Sequence, residues 1–161
     1  MLTIRVNPYT APATTSELIQ RWLKRSRESQ FAHYYMADIL SGRNRSLGLL
    51  TIALTSLAGI TSIISKPPEN LMIVLGLTSL AAAFLASLQT FFKYEERATT
   101  HLTAGAKYAA IRRKLELVSS SEATPDITVL DEIRAGLDSL AEKSPNIPKK
   151  IFEKAMKKDA A

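Results

Sequence analysis

Two uncharged stretches decide what this chain can become. Ser46–Ser65, SLGLLTIALTSLAGITSIIS, runs for 20 residues without an acidic or basic side chain, and Asn70–Phe92, NLMIVLGLTSLAAAFLASLQTFF, runs for 23. Only Lys66-Pro67-Pro68-Glu69 lies between them. A hydrocarbon core about 30 Å thick takes roughly 20 helical residues to cross, so both stretches are long enough. Nine Leu and Ile in the first contribute roughly −3 to −5 kcal/mol to insertion, and the second has eleven Leu, Ile, Val and Phe. Seven Ser and Thr weaken the first, so the two are expected to enter a membrane as a pair. Pro67 and Pro68 stop the first helix, since proline lacks the amide donor and disfavours helix at the residue before it. Glu69 and Asn70 then sit where a helix start favours an acceptor and negative charge. A water-soluble bundle hiding the hairpin is disfavoured, because the rest of the chain would have to wrap two helices apolar on every side.

The net charge of +6 matters through its placement. Arg21, Lys24, Arg25, Arg27, Arg43 and Arg45 precede the first stretch; Lys93, Arg97, Lys107, Arg112, Arg113 and Lys114 follow the second. Between them stands Lys66, offset by Glu69. This is the pattern of a hairpin with both ends in the cytoplasm. No basic patch interleaved with aromatics appears, so a nucleic-acid partner is not expected. There is no cysteine, which excludes disulfides and thiolate chemistry. The opening MLTIRVNPYTAPATTSE has no apolar core long enough for a secretory signal.

The expected fold is all-α: an integral membrane helical hairpin with spans at about 46–65 and 70–92 and cytoplasmic amphipathic helices. Residues 1–15 read as an irregular arm, with Thr14 or Thr15 capping the helix that follows. From 16 to about 41, apolar residues recur at Leu18, Trp22, Ala32, Met36, Ile39 and Leu40, interrupted by KRSRESQ. Ser41–Arg45 reads as a turn or helix join. No break follows Phe92, so the second span is expected to continue as one helix to about Ser119, with Gly105 the candidate kink. Ile127, Leu130, Ile133, Leu137 and Leu140 mark a further helix over 126–143, introduced by Thr124-Pro125-Asp126. Its expected partners are the Leu102–Leu115 stretch and the Trp22 helix. Residues 144–161 form a linker and a short basic helix, KKIFEKAMKK, suited either to anionic headgroups or to solvent.

Chemistry-bearing motifs are scarce. His33 and His101 each lack a histidine or carboxylate at i+3 or i+4, so neither begins a metal site, and no metal or cofactor is expected. No phosphate loop or nucleophile motif occurs, which argues against an enzyme. Small residues do form stripes: Gly48, Thr51, Thr55, Ala58 or Gly59, and Ser62 on the first span, and Gly76, Ser79, Ala83, Ala86 or Ser87, and Thr90 on the second. Two readings stand for these stripes, close helix packing and the lining of a water-filled lumen in an oligomer. Glu95, Glu96, Arg97 and His101 just past the second span, with Tyr108 two turns on, are read either as a solvated collar or as a ring or gate at a pore mouth, with His101 sensing pH.

The order of these parts, YYMAD (Tyr34, Tyr35, Asp38), a two-span hairpin, FFKYEERATTHLTAGAKYAAIRRKLE and a late SPNIP, resembles the SLATT family over about residues 16–150. These are two-transmembrane effector domains associated with SMODS and SLOG sensor proteins. Phe92, Tyr94, Glu96, Arg97, His101, Ala104, Tyr108 and Arg112 carry the most specific part of the likeness. The resemblance implies a homo-oligomeric, pore-forming or membrane-perturbing effector of prokaryotic conflict and phage defence, in the bacterial inner membrane. No sensor is fused within these residues, so the trigger is expected from a separate nucleotide-signal sensor protein or a directly bound ligand. The alternative function is a non-conducting membrane anchor or assembly subunit.

Overall fold

The computed structural model describes residues 10–62, 68–121 and 125–159. Its elements are helices throughout: α1 (Thr15–Ser62), α2 (Glu69–Phe92), α3 (Tyr94–Ser120), α4 (Ile127–Lys143) and α5 (Lys149–Asp159). Residues 1–9 and Pro67 lie outside the description, as do the side chain of Ser62 and residue Thr124.

The start of α1 is dictated locally. The Thr14 hydroxyl accepts from the Glu17 amide at 3.2 Å, and the Glu17 carboxylate accepts from the Ala13 amide at 2.8 Å. Two amides that the first turn would leave unpaired are thereby satisfied. The Ala13 amide first and the Arg21 guanidinium second hold the Glu17 carboxyl below its ordinary range. From there α1 continues for 48 residues. Ser41–Arg45 is continuous helix rather than a turn, since nothing in Ser-Gly-Arg-Asn-Arg removes a backbone donor and Gly42 meets no neighbour that would displace it. The amphipathic and the uncharged halves are one rod, about 72 Å long.

α3 returns along the amphipathic half of α1, and this pair is the most extensive contact in the molecule. Ile19 and Leu115 meet near one end, joined by Leu130 and Ile133 of α4 and flanked by Trp22, Ile111 and Leu137. Met36, Leu40 and Ala98 meet near the other. The α4 face read from the sequence therefore packs where expected, against both α3 and α1. Asp126 caps α4, its carboxylate accepting from the Thr128 amide at 3.1 Å, which holds that carboxyl low. α5 neither projects into solvent nor stands apart: Ala155 is buried on α1, Ile151 packs on the Met36 cluster, and Asp159 pairs with Arg27 at 3.2 Å.

α2 and α3 are not one uninterrupted helix. Lys93 sits in the left-handed region (φ 47°, ψ 44°), a conformation that costs a non-glycine residue about 1 kcal/mol or more. The helical hydrogen bonds resume at once, with Arg97 N–H donating to the Lys93 carbonyl at 3.0 Å. Gly105, the candidate kink, lies inside α3 instead, and its missing side chain makes room for Tyr34: an added Cβ would stand 2.6 Å from that ring.

Beyond this bundle the surface changes. On α1 and α2, Leu50, Ile52, Leu57, Ile60, Ile73, Val74, Leu77, Leu80 and Phe84 all face outward. Glu69–Ser120 holds one helix segment long and apolar enough to cross a membrane, almost none of it covered by the rest of the protein.

Gly105→Val should cost about 2 kcal/mol by overpacking against Tyr34. Thermal unfolding in detergent followed by circular dichroism checks this, and the penalty should largely vanish in a Tyr34→Ala background, where the ring that the new methyls meet is gone.

Candidate functional site

The centre of the α1–α3 interface is polar, between its two apolar ends. Ser26 and His33 of α1 and His101 of α3 are buried, and Tyr108 joins them at 7% exposure. The helical phase explains this: Ile19, Ser26, His33, Met36 and Leu40 share one face of α1, while Ala98, His101, Gly105, Tyr108 and Leu115 share one face of α3.

His33 and His101 meet there, Nδ1 to Nδ1, at 2.9 Å. A hydrogen bond of this kind needs one ring to donate Nδ1–H and the other to carry its proton on Nε2 and accept. Tyr108 stacks on His33 with ring centroids 5.6 Å apart and an 18° angle between planes. Burial pushes His33 down to about 4, and the neighbouring His101 adds to the shift. His101 is lowered too, by burial first and by the nearby Arg97 guanidinium second. One added proton is compatible with the contact, because an imidazolium still donates to a neutral ring. Two would set N–H against N–H, with two positive charges at hydrogen-bonding distance.

Of the residues read as a collar, Glu96 and Arg97 are exposed, Glu96 pairing with Lys93 at 3.0 Å. His101 and Tyr108 turn inward, so neither belongs to a solvent-facing ring. The 3–4 spacing that carries them along α3 faces α1. Of the YYMAD residues, Tyr34 fills the notch at Gly105, Tyr35 lies under the Lys158 ammonium at 5.6 Å, and Asp38 is exposed.

A second feature lies in the uncharged half. Thr51, Thr55 and Gly59 of α1 and Ser79, Ala82 and Ala83 of α2 line one open groove of about 430 Å³. The two stripes thus share a groove and do not fill it. Gly76 stands apart from it, with nothing within 4 Å of a would-be Cβ, and Gly48 serves another contact, approaching the Gln89 amide. Gln89 donates to the Asn44 side-chain oxygen at 2.9 Å, and the Asn44 amide donates to Glu95 at 3.1 Å, tying α1, α2 and α3 together beside Lys93. Hydroxyls along the groove are satisfied within their own helices: Thr51 donates to the Leu47 carbonyl and Thr55 to that of Thr51, both at 2.9 Å. Pro68 precedes α2 in an extended conformation and starts it through its carbonyl, which accepts from Leu71 and Met72.

The stripes and the second histidine were visible as residues, but the pairing of His33 with His101 across 68 positions was not. The usable signal was the shared phase of His33 with Met36 and Leu40 on the buried face of α1. No family model, curated protein or solved structure matches this chain.

A depressed histidine pKa fixes a direction. At pH above 6.5 the folded and unfolded chains both keep the pair neutral. Between 6.5 and about 4 the unfolded chain binds a proton that the bundle refuses, so stability falls as pH falls and levels off below about 4. The loss should reach about 3 kcal/mol. Melting wild type and His33→Gln across that range checks it: the variant should lack this part of the slope, leaving only the carboxylate losses shared by both.

Proposed function

We propose that this chain is a two-span integral membrane protein that self-associates through its hairpin and permeabilises the bilayer, with both termini cytoplasmic. The observation that carries this reading is the open groove of Thr51, Thr55, Gly59, Ser79 and Ala83, left unfilled between helices whose outer surfaces are Leu, Ile, Val and Phe. A hairpin meant only to sit in lipid would close its small residues on each other, since small residues exist in membrane helices to let backbones approach. An open small-residue seam lets a helix from another copy pack on the wall of Ser79 and Ala83, and the opposite wall, with Thr51 and Thr55, is left toward a shared axis.

The bundle outside the membrane supplies the control. Lys93 is a strained joint between α2 and α3, and strain at a hinge is supported by the packing around it. The His33–His101 contact holds α3 on α1 two turns further on. A trigger with different affinity for the closed and open packings, a ligand or a separate nucleotide-signal sensor protein, would shift the equilibrium between them. Effector domains of the SLATT type in bacterial defence fit this arrangement, and the inner membrane is the corresponding location.

The test is reconstitution in liposomes loaded with a self-quenching dye. Wild type should form a homo-oligomer by light scattering and release dye. Ala83→Leu, which fills the groove, should weaken assembly and release by roughly tenfold or more. Thr51→Val and Thr55→Val should change conductance while leaving the oligomer intact. An oligomer that inserts yet releases nothing, at neutral or acid pH, would instead make the protein a non-conducting anchor or assembly subunit.

A further inference from the structure

The flank of α3 that faces α4 is built differently from the rest of the surface. Two adjoining hollows, of about 300 and 340 Å³, run along it and share Lys107, Leu140 and Lys143. Lys107 and Lys114 project from α3 and Lys143 from the end of α4, so three ammonium groups border one groove. Among the described residues, no carboxylate lies within 4 Å of any of them, whereas Lys93, Lys24 and Lys149 each have one. Three like charges along one groove without a counter-charge leave a positive potential in it.

The groove also has free hydroxyls. Thr99 and Thr100 donate to the carbonyls of Glu95 and Glu96, but Thr103, on the same wall, makes no hydrogen bond among the described residues. Ser144, at the α4 end, has a buried hydroxyl oxygen without a partner. Between these polar groups the floor is apolar, formed by Ile111, Leu140 and Pro145. We propose that this groove binds a small organic phosphate, its phosphate oxygens held by Lys107 and Lys143 with Thr103, and its carbon skeleton lying toward Ile111.

Position decides between a dissolved phosphate and a lipid headgroup. Lys107 lies 14 residues past Lys93, about 21 Å along the helix. The headgroup layer is only about 5–8 Å deep on each side, so a phospholipid anchored beside α2 does not reach it. The groove contains no aromatic ring, which sets it apart from sites that stack nucleic-acid bases. Because α4 meets α3 along this groove, a bound phosphate would bridge the two helices and stiffen the bundle at the end remote from Lys93.

Pyrophosphate is the probe. It should bind the full chain in phosphatidylcholine nanodiscs saturably by calorimetry, and raise the melting temperature. Affinity should fall roughly tenfold or more in Lys107→Gln/Lys143→Gln. Lys150→Gln/Lys157→Gln, the same charge change on α5, should leave it unaltered. Absence of saturable binding at low salt overturns the proposal, and so does equal weakening by the two double variants, which would mean diffuse charge attraction. Replacing phosphatidylcholine by phosphatidylglycerol should not change the affinity; displacement of pyrophosphate by that lipid would assign the groove to headgroups and overturn the dissolved-ligand assignment. None of these readouts depends on dye release, so they stand or fall separately from the permeabilising role.

Discussion

A helix of 48 residues that is amphipathic in one half and uncharged in the other carries two unlike surfaces on one rigid body. The rest of the molecule follows from that constraint on α1. Its amphipathic half needs a polypeptide partner, and α3 supplies it; its uncharged half has only α2 beside it, and most of its large side chains stay uncovered. Because helical hydrogen bonding is unbroken through Ser41–Arg45, displacement at one end of α1 is transmitted to the other without a joint to absorb it. The return path differs, since α2 and α3 meet at Lys93 in a left-handed conformation. One edge of the molecule is thus continuous and the other is articulated.

The polar middle of the α1–α3 contact makes physical sense in this setting. An all-apolar seam of this length would gain more from burial, at about 25 cal/mol per Å², than one interrupted by Ser26, His33 and His101. Buried polar groups fix register instead, because sliding the helices by one turn separates the 2.9 Å pair and leaves both imidazoles without partners. The Tyr34 ring in the Gly105 notch acts in the same sense through shape. Surface ion pairs such as Arg134 with Asp131 and Asp138 add little beside these contacts, being exposed and within one helix.

What the sequence disclosed was local. The 3–4 spacing from Ile127 to Leu140 located α4 within one residue, and Thr14 and Pro68 marked helix starts because capping acts over a turn. Ser41–Arg45 looked like a turn through its composition, yet a single glycine with open space around it does not stop a helix flanked by strong formers. Gly105 drew attention for flexibility when its purpose is room for a ring from α1. The seat of α5 depends on Ala155 and Ile151 meeting α1, and the histidine pair on two positions in different helices. Such meetings are set by the mutual register of whole elements, which no short window contains.

The internal hydrogen bonds of Thr51 and Thr55 have a further consequence. Each hydroxyl donates back to a carbonyl of its own helix, so in oil it exposes methyl and a satisfied oxygen and incurs little desolvation cost. The same oxygen keeps lone pairs that water could use without breaking the backbone ladder. A wall made this way is compatible with both media, and wetting or drying it would require no refolding of the helix that bears it.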